Sequence, residues 1–524
     1  MPLSDLLASS STLVLQEPSR TTSAAALASV SQRLQTKLVA AATNAPRPRR
    51  GCPQVQTSGP LDGARVALLL PPGAGWLAAC TAVWNTGGVV VPLSPQHPDD
   101  EWQHALQQSG TTLALCHAAW APRVQGLDVD VAVVSLDDDA LLASPIDTDT
   151  DTDTATPYPP DNGALVFFTS GTTGKPKAVL HTHRALQTQV DALVDAWRIT
   201  ADDVILHCLP LHHVHGIVNA LLTVAQVGGT VRFCGPFAPD AFDRAAEMAP
   251  AATVFMAVPT IHQRLLDHLD AAHDDNTRSA LASCRLLISG SAALPRPLFA
   301  RAEQAYGQPL LERYGMSEFG MGLSNPYDLD DRGGRQPGTV GFPFSHCEVR
   351  LRDEDGTVVD AAPGTTGELL MRGPHLFAGY MFDAAATASS FVDGWFCTGD
   401  RVHVDDDGRF AILGRNSIDI LKTGGEKISA LEIEAHYLGH DAVAQCAVIG
   451  VPHPDWGDEV VMAVVLRDGA DDISLDAWRA FGKKALAVYK VPKRVVVVDK
   501  LPKNAMGKVQ KRRLLPLLQE GGAA

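Results

Sequence analysis

Directly after the apolar run ALVFF comes the string Thr169-Ser-Gly-Thr-Thr-Gly-Lys-Pro-Lys177. Glycines bare backbone N–H groups, hydroxyls add donors and two lysines add charge, so a loop of this composition leaving a strand can surround a polyphosphate. It is not a Walker A loop, which needs four residues between its glycines and Ser or Thr after the lysine. Here Gly171 and Gly174 are two apart and Pro176 follows Lys175. Elsewhere, Glu318 in RYGMSE is a hard oxygen ligand suited to Mg²⁺ beside phosphates. Asp400, closing GWFCTGD, can accept two hydrogen bonds from neighbouring hydroxyls. His212-His-Val-His-Gly216 has no carboxylate or cysteine at ligand spacing, so it reads as pocket lining rather than a metal centre.

These residues must be carried by a frame. From Arg65 to Pro92, VALLL, GWLAACTAVWNTG and VVVPL alternate as strand, helix and strand, and LALCHA, VAVVSL, ALVFFTS, VILHCLP, ATVFMAVP and CRLLISGS continue the theme, which predicts a layered α/β body. After Gly334 the pieces become shorter and strand-like (EVRLRDEDGTVVD, GELLMRG), as in a small barrel-like subdomain. A further break falls near Arg415. Beyond it Ser429 and Glu432 form a capping-box start for the helix ALEIEAHYLGH, and AVAQCAVIGV and EVVMAVVLRD alternate as strands. The expected domains are 1–414 and 415–524. The acidic low-complexity stretch within 147–160 (DTDTDTDTATPYPP) reads as a solvated loop.

A length of 524 residues implies about two to four packed units, since a domain takes roughly 100–200 residues. Formal charge of −16 excludes a general nucleic-acid or membrane-surface binder, which needs a surplus of Lys and Arg. The nine cysteines show no C-x-x-C pair, so free thiols in a reducing compartment are expected. No apolar run is long enough to span a bilayer. The first fifty residues are rich in Ser, Thr and Ala with scattered Arg, like a transit peptide, yet Ala24–Ala42 has the apolar spacing of a helix. The expected location is cytoplasmic, with a mitochondrial or plastid matrix as the alternative.

The loop 169–177 together with RYGMSE (Arg313–Glu318), GWFCTGD (Gly394–Asp400), LGRNSIDILKTGGEKISALEIE (Leu413–Glu434) and PKNAMGKVQKR (Pro502–Arg512) resembles, in order, the motifs of the adenylate-forming superfamily. The likeness covers the chain from about residue 165 to its end, and more weakly back to about residue 20. It implies a large α/β N-terminal domain with a β-barrel-like subdomain, followed by a small mobile α+β C-terminal domain. It also implies ATP, Mg²⁺ and coenzyme A as reactants or cofactors and an acyl-adenylate as intermediate. The implied ATP contacts are Thr169, Ser170, Gly171, Thr172, Thr173, Gly174 and Lys175 around the phosphates, with Thr172 and Lys177 near the reacting centre. Tyr314 and Gly315, with Gly290 and Ser291 of SGSAAL opposite, flank the adenine, and Met316 and Ser317 belong to the same wall. Glu318 is then the magnesium ligand, Asp400 and Arg415 the ribose and phosphate contacts, and Lys508 the catalytic lysine. Gly424 and Gly425 are implied to face the pantetheine chain in the thioester-forming arrangement. The hinge position two residues after Arg415, commonly Asp or Lys in the superfamily, is Ser417 here.

ERYGMSEFGMGLSNP and RNSIDILKTGGEKISALEIE are particularly similar to malonyl-CoA synthetases. A dicarboxylate keeps one unreacted carboxylate, and burying it requires a cation. Arg313 and Arg264 are the candidates, with His213 and His215 as pocket walls and Glu312 and Asp267 as the acids either arginine would otherwise pair with. The expectation is an ATP-dependent acid:CoA ligase for malonate, or alternatively for another short- or medium-chain acid. Sixteen residues after Lys508 leave no room for a fused carrier domain. Joint presence of Lys508, Asp400, Arg415 and Glu318 argues against an inactive ATP-binding homologue.

Overall fold

A computed structural model describes residues 6, 12–46, 59–137, 159–169, 176–272, 274–470, 473–503 and 508–520. The expected acidic loop lies almost wholly outside these residues.

Two large sheets form the body. In one, Gly163–Phe168, Val89–Pro92, Arg65–Leu69, Leu113–His117 and Ala132–Leu136 lie side by side and parallel, and Ala178–Thr182 and Gly379–Tyr380 add an antiparallel edge. In the other, a parallel block runs from Leu311–Met316 through Leu286–Ser289, Val254–Ala257, Val204–His207 and Thr230–Phe233 to Val14–Glu17, with antiparallel strands at both ends. Central strands are apolar throughout because both faces are covered, and this is why strands such as RVALL and VFMA read as continuous runs rather than alternations. All eight strand-like segments that the sequence gives this body are strands.

Helix Ala24–Ala42 belongs to this body. Ser23 caps it through the Ala26 N–H, and Leu27, Leu34 and Leu38 are fully buried. Ser31 meets Thr81 of helix Ala74–Asn85 at 3.1 Å.

A third sheet is built from Val358–Asp360, Glu348–Arg352, Thr366–Arg372, Trp395–Val404 and Phe391–Val392, with Phe410–Arg415 paired to Trp395–Val404. It is the small β-rich part that the sequence places after Gly334. A fourth sheet joins Glu426–Ser429, Ile420–Thr423, Gly457–Leu466, Val443–His453 and Arg494–Val497. Its helix, Ala430–Tyr437, ends three residues before the expected His440, and only half of the capping box forms. Ser429 Oγ accepts from the Glu432 N–H, but the Glu432 carboxylate turns outward to Lys490 at 2.7 Å, so no reciprocal bond is made.

Glu354, on the turn before Val358–Asp360, reaches Arg401 at 3.1 Å and Lys427 at 2.9 Å, linking the third and fourth sheets. Among the described residues no helix is long and apolar enough to cross a membrane, and the eight cysteines are free thiols.

Candidate active site

Strand Leu311–Met316 turns back at Ser317–Phe319 into Gly320–Ser324, so RYGMSE sits at a tight corner. The corner tolerates no side chain at Gly315, where a Cβ would stand 1.9 Å from the Gly320 carbonyl oxygen. Met316 Sδ lies 3.9 Å from Arg415 Nη2. The Ser317 carbonyl accepts from His181 Nε2 at 2.6 Å, and His181 Nδ1 receives Gln189 Nε2 at 3.4 Å. Burial pushes His181 down to about 4, so this relay is neutral at pH 7 and acts as a fixed brace.

Tyr314 donates from its hydroxyl to Asp400 Oδ2 at 2.6 Å. Asp400 and Arg415 are direct partners across the Trp395–Val404 and Phe410–Arg415 pair, and the guanidinium grips both carboxylate oxygens at 2.9 and 3.2 Å. Burial works to lower the Arg415 pKa, but Asp400 outweighs it and the net shift is upward. Asp400 Oδ2 thus accepts from both Tyr314 and Arg415, while Oδ1 has one donor and keeps a further lone pair for a hydroxyl.

Glu318 is 5 % exposed, and its Oε1 accepts from the Tyr380 hydroxyl at 2.9 Å. Desolvation raises its pKa, with Asp400 adding to the effect and Tyr380 and Arg415 opposing it. A buried carboxylate with one oxygen committed to a phenol fits a hard divalent cation on the other, which is the chemistry expected for Mg²⁺. Tyr380 also carries Lys177 Nζ 4.5 Å above its ring. The phosphate-loop candidate closes the hairpin of Gly163–Phe168 and Ala178–Thr182, its ends tied by Thr169 N–H to the Lys177 carbonyl at 3.1 Å. Ser170, Gly171, Thr172, Thr173, Gly174 and Lys175 lie outside the described residues. Tyr380 itself escaped the sequence reading. It arrives on a two-residue edge strand with no motif around it, and only its pairing with Val179 brings it to the loop.

Lys508 lies in the same region. Its side chain keeps solvent contact, yet surrounding protein lowers its pKa by desolvation, with Arg415 and Lys511 acting in the same direction and Asp400 and Asp419 opposing. Three residues on, Lys511 makes ion pairs with Asp419 and Glu434, each at 2.6 Å. Asp419 also accepts from the Arg415 N–H at 3.1 Å, so the turn holding Ser417 is anchored at both ends.

Arg313 is buried, and its Nε and Nη2 have no hydrogen-bond partner. Its guanidinium lies against Gly290, where a Cβ would be 2.3 Å from Cζ. Ser291, in a left-handed conformation at φ 70°, places Oγ 3.2 Å from His215 Nδ1, and His215 Nε2 is also unpartnered. Burial, then the Arg313 charge, hold His215 well below the usual histidine range, and burial pushes His213 to about 4. Neither acid offered as an ordinary partner is used. Glu312 takes the Gly338 N–H, and Asp267 pairs with Arg301. The structure does not bring Arg264 to this group, since it is exposed on helix Pro259–Ala272 with its guanidinium over Phe237. His215 opens a π-helix, His215–Leu222, a geometry that periodicity in a sequence does not announce.

Gly424 and Gly425, at φ 58° and 87°, form the two-residue tip of an exposed hairpin between Ile420–Thr423 and Glu426–Ser429. A Cβ there would meet nothing, so their backbone conformation, rather than a close neighbour in this arrangement, requires glycine.

The AMP-binding enzyme model matches residues 56–381, and the AMP-binding enzyme C-terminal domain model matches 432–508. A Mus musculus protein named Malonate–CoA ligase ACSF3, mitochondrial, is 40% identical over 493 residues, 88% of this chain and 83% of that protein. The ATP-bound crystal structure of MatB from Rhodopseudomonas palustris superposes with a TM-score of 0.85 at 31% identity over 99% of both chains. A malonyl-CoA ligase ternary product complex with methylmalonyl-CoA and AMP bound gives a TM-score of 0.65 at 33% identity, over 94% of this chain and 97% of that one. With a family model spanning more than half its length and relatives at this identity, the chain belongs to the AMP-binding enzyme family.

Proposed function

We propose that this chain is an AMP-forming acid:CoA ligase that joins malonate to coenzyme A at the expense of ATP. Ligation of an acid to coenzyme A with ATP rests on the family and on the relatives. Malonate rests on Arg313. A buried guanidinium with two N–H-bearing nitrogens unmatched is costly unless an anion completes it, and neutral histidines around it supply no competing charge. The carboxylate of a dicarboxylic acid that does not react is an anion of the right kind, bound bidentately by the planar fork.

Malonate needs no general base, because a carboxylic acid of ordinary pKa is already ionised at neutral pH. Its free carboxylate oxygen attacks the α-phosphorus of ATP, the bond to the bridging oxygen breaks, and pyrophosphate leaves along the loop 169–177. Lys508 offsets the charge that grows on the equatorial oxygens, and Lys177 faces the departing phosphates. Asp400, backed by Tyr314 and Arg415, accepts from the ribose hydroxyls. Glu318 would hold Mg²⁺, which when bound neutralises phosphate charge. In the second half-reaction the coenzyme A sulfur attacks the adenylate carbonyl, AMP leaves, and malonyl-CoA forms. Gly424 and Gly425 line the thiol's approach once the C-terminal unit, 415–524, has rotated about the region near Ser417. Support for that rotation comes from the better superposition on the ATP-bound relative than on the product complex.

Cytoplasm is the proposed compartment. Val14–Glu17 and Ala24–Ala42 are integral to the fold, so a cleavable leader would have to end before them, and the matrix alternative rests on the mouse relative.

Pyrophosphate release measured over a panel of acids tests the reading. Malonate should be preferred, and Arg313→Met should cut kcat/KM for malonate by about 10²–10³-fold, the range for stranding a buried charge, while sparing monocarboxylates. Preference of the parent for acetate or octanoate would reject it.

A further inference from the structure

His346, Cys347 and His375 meet at the edge of the third sheet. Antiparallel pairing of Glu348 with Arg372 puts the residues just outside that pair face to face: Cys347 and His346 on one strand, Gly373 and His375 on the other. The packing is close. At Gly373 a Cβ would stand 2.4 Å from the His346 carbonyl oxygen and 2.6 Å from His375 Nδ1. The two imidazoles cross edge to face with centroids 4.5 Å apart, and Cys347 Sγ lies 3.4 Å from His375 Nε2. One ligand atom from each of the three residues falls within 4.8 Å of the others. His375 is 0 % exposed and Cys347 9 % exposed, while both ring nitrogens of His346 are shielded from solvent and make no hydrogen bond of good geometry. Burial lowers the His346 pKa to about 4 against an opposing effect of the Met321 carbonyl, and both rings are neutral at pH 7.

Two lone-pair-bearing imidazoles and a thiol, converging in a nearly dry pocket with unmatched nitrogens, form a donor set for a borderline-soft cation. A tetrahedral Zn²⁺ with bonds of about 2.3 Å to sulfur and about 2.05 Å to nitrogen holds its S and N ligands roughly 3.6 Å apart. The Cys347–His375 separation already meets that spacing, and a small rotation of His346 completes the third. We propose that His346, Cys347 and His375 bind one Zn²⁺ ion through three protein ligands. On binding, the Cys347 S–H bond breaks, its proton passes to solvent and the thiolate pair goes to the metal.

The site sits behind the nucleotide corner. His375 packs edge to face with Phe319, and its carbonyl accepts from Gln189. Two residues later the Phe377 N–H donates to the Glu318 carbonyl at 2.8 Å. A bound ion would therefore stiffen the loop that fixes the Glu318 backbone.

The full chain, dialysed against chelator and titrated with Zn²⁺ in competition with a chromophoric chelator, tests this. One equivalent should bind, and Co²⁺ in its place should give a thiolate-to-metal charge-transfer band in the near ultraviolet. Cys347→Ser should abolish the band, and Cys347→Ser or His346→Asn should weaken Zn²⁺ binding by at least about 100-fold. His268→Asn, at the other cluster of metal-capable side chains (Asp240, Asp243, His268), should change nothing. Metal-free circular dichroism and melting compare each variant with the metal-free parent. His346→Asn, only partly buried, carries the test should Cys347→Ser unfold. A parent that retains no Zn²⁺ against the chelator, or a cobalt band that persists without the Cys347 thiol, would overturn the site.

Discussion

Lys508 and Glu318 are displaced from their ordinary pKa values in opposite directions, and the pH profile of the first half-reaction should carry both marks. Glu318 must be ionised to hold a cation, so activity rises as pH climbs through its pKa. Because burial raises that pKa, the acid limb should lie above the ordinary glutamate range. Lys508 must be protonated, so activity falls as pH climbs through its pKa. Because desolvation lowers it, the alkaline limb should lie below the ordinary lysine range. Pyrophosphate release as a function of pH measures both. Lys508→Ala should lower adenylate formation by about 10²–10³-fold, as expected for loss of a group that stabilises transition-state charge, and a rate equal to the parent would remove the assignment. At this scale the sequence was generous where chemistry is packed into short strings. Tyr314, Asp400 and Arg415 were legible and do meet. Tyr380 was not, because its partners are some two hundred residues upstream and sixty-two away. Arg313 was legible as a cation, but its lack of a partner is a fact of three dimensions.

At the scale of elements, the Lys511 ion pairs couple the segment bearing Lys508, at the start of helix Lys511–Glu520, to the turn after Arg415 and to the helix Ala430–Tyr437. Lys511→Met would strand two buried carboxylates, at a cost of about 3–5 kcal/mol. The expected outcome is a lower melting temperature together with slower adenylate formation, whereas Lys508→Ala should affect the rate alone. Calorimetry paired with pyrophosphate release separates them. Strand and helix types were readable from periodicity because parallel strands buried on both faces give unbroken apolar runs. The end of Ala430–Tyr437 and the π-helix at His215 were not, since both depend on local hydrogen-bond choices that side-chain pattern does not encode.

For the whole molecule, the proposed alternation between two half-reactions needs a pivot. Arg415 is held by Asp400 and the Asn416 N–H by the Gly399 carbonyl on one side, and Asp419 by Lys511 on the other, which puts the proposed pivot at Ser417 and Ile418. Ser417→Pro would fix one φ and restrict the residue before it. Adenylate formation should survive, and thioester formation should slow by roughly tenfold or more when followed by single-turnover transfer to coenzyme A. Equal loss of both half-reactions would move the pivot elsewhere.

Glu354 bridges Arg401 and Lys427 with its carboxylate about half exposed, and water and ions reach that junction freely. A contact of this kind contributes up to about 1 kcal/mol and is weakened by added electrolyte. Ionic strength should therefore act as a dial on the resting population: concentrated salt releases the tether, biases the enzyme toward the undocked state by up to about fivefold, and favours the thiol step at the expense of the nucleotide step.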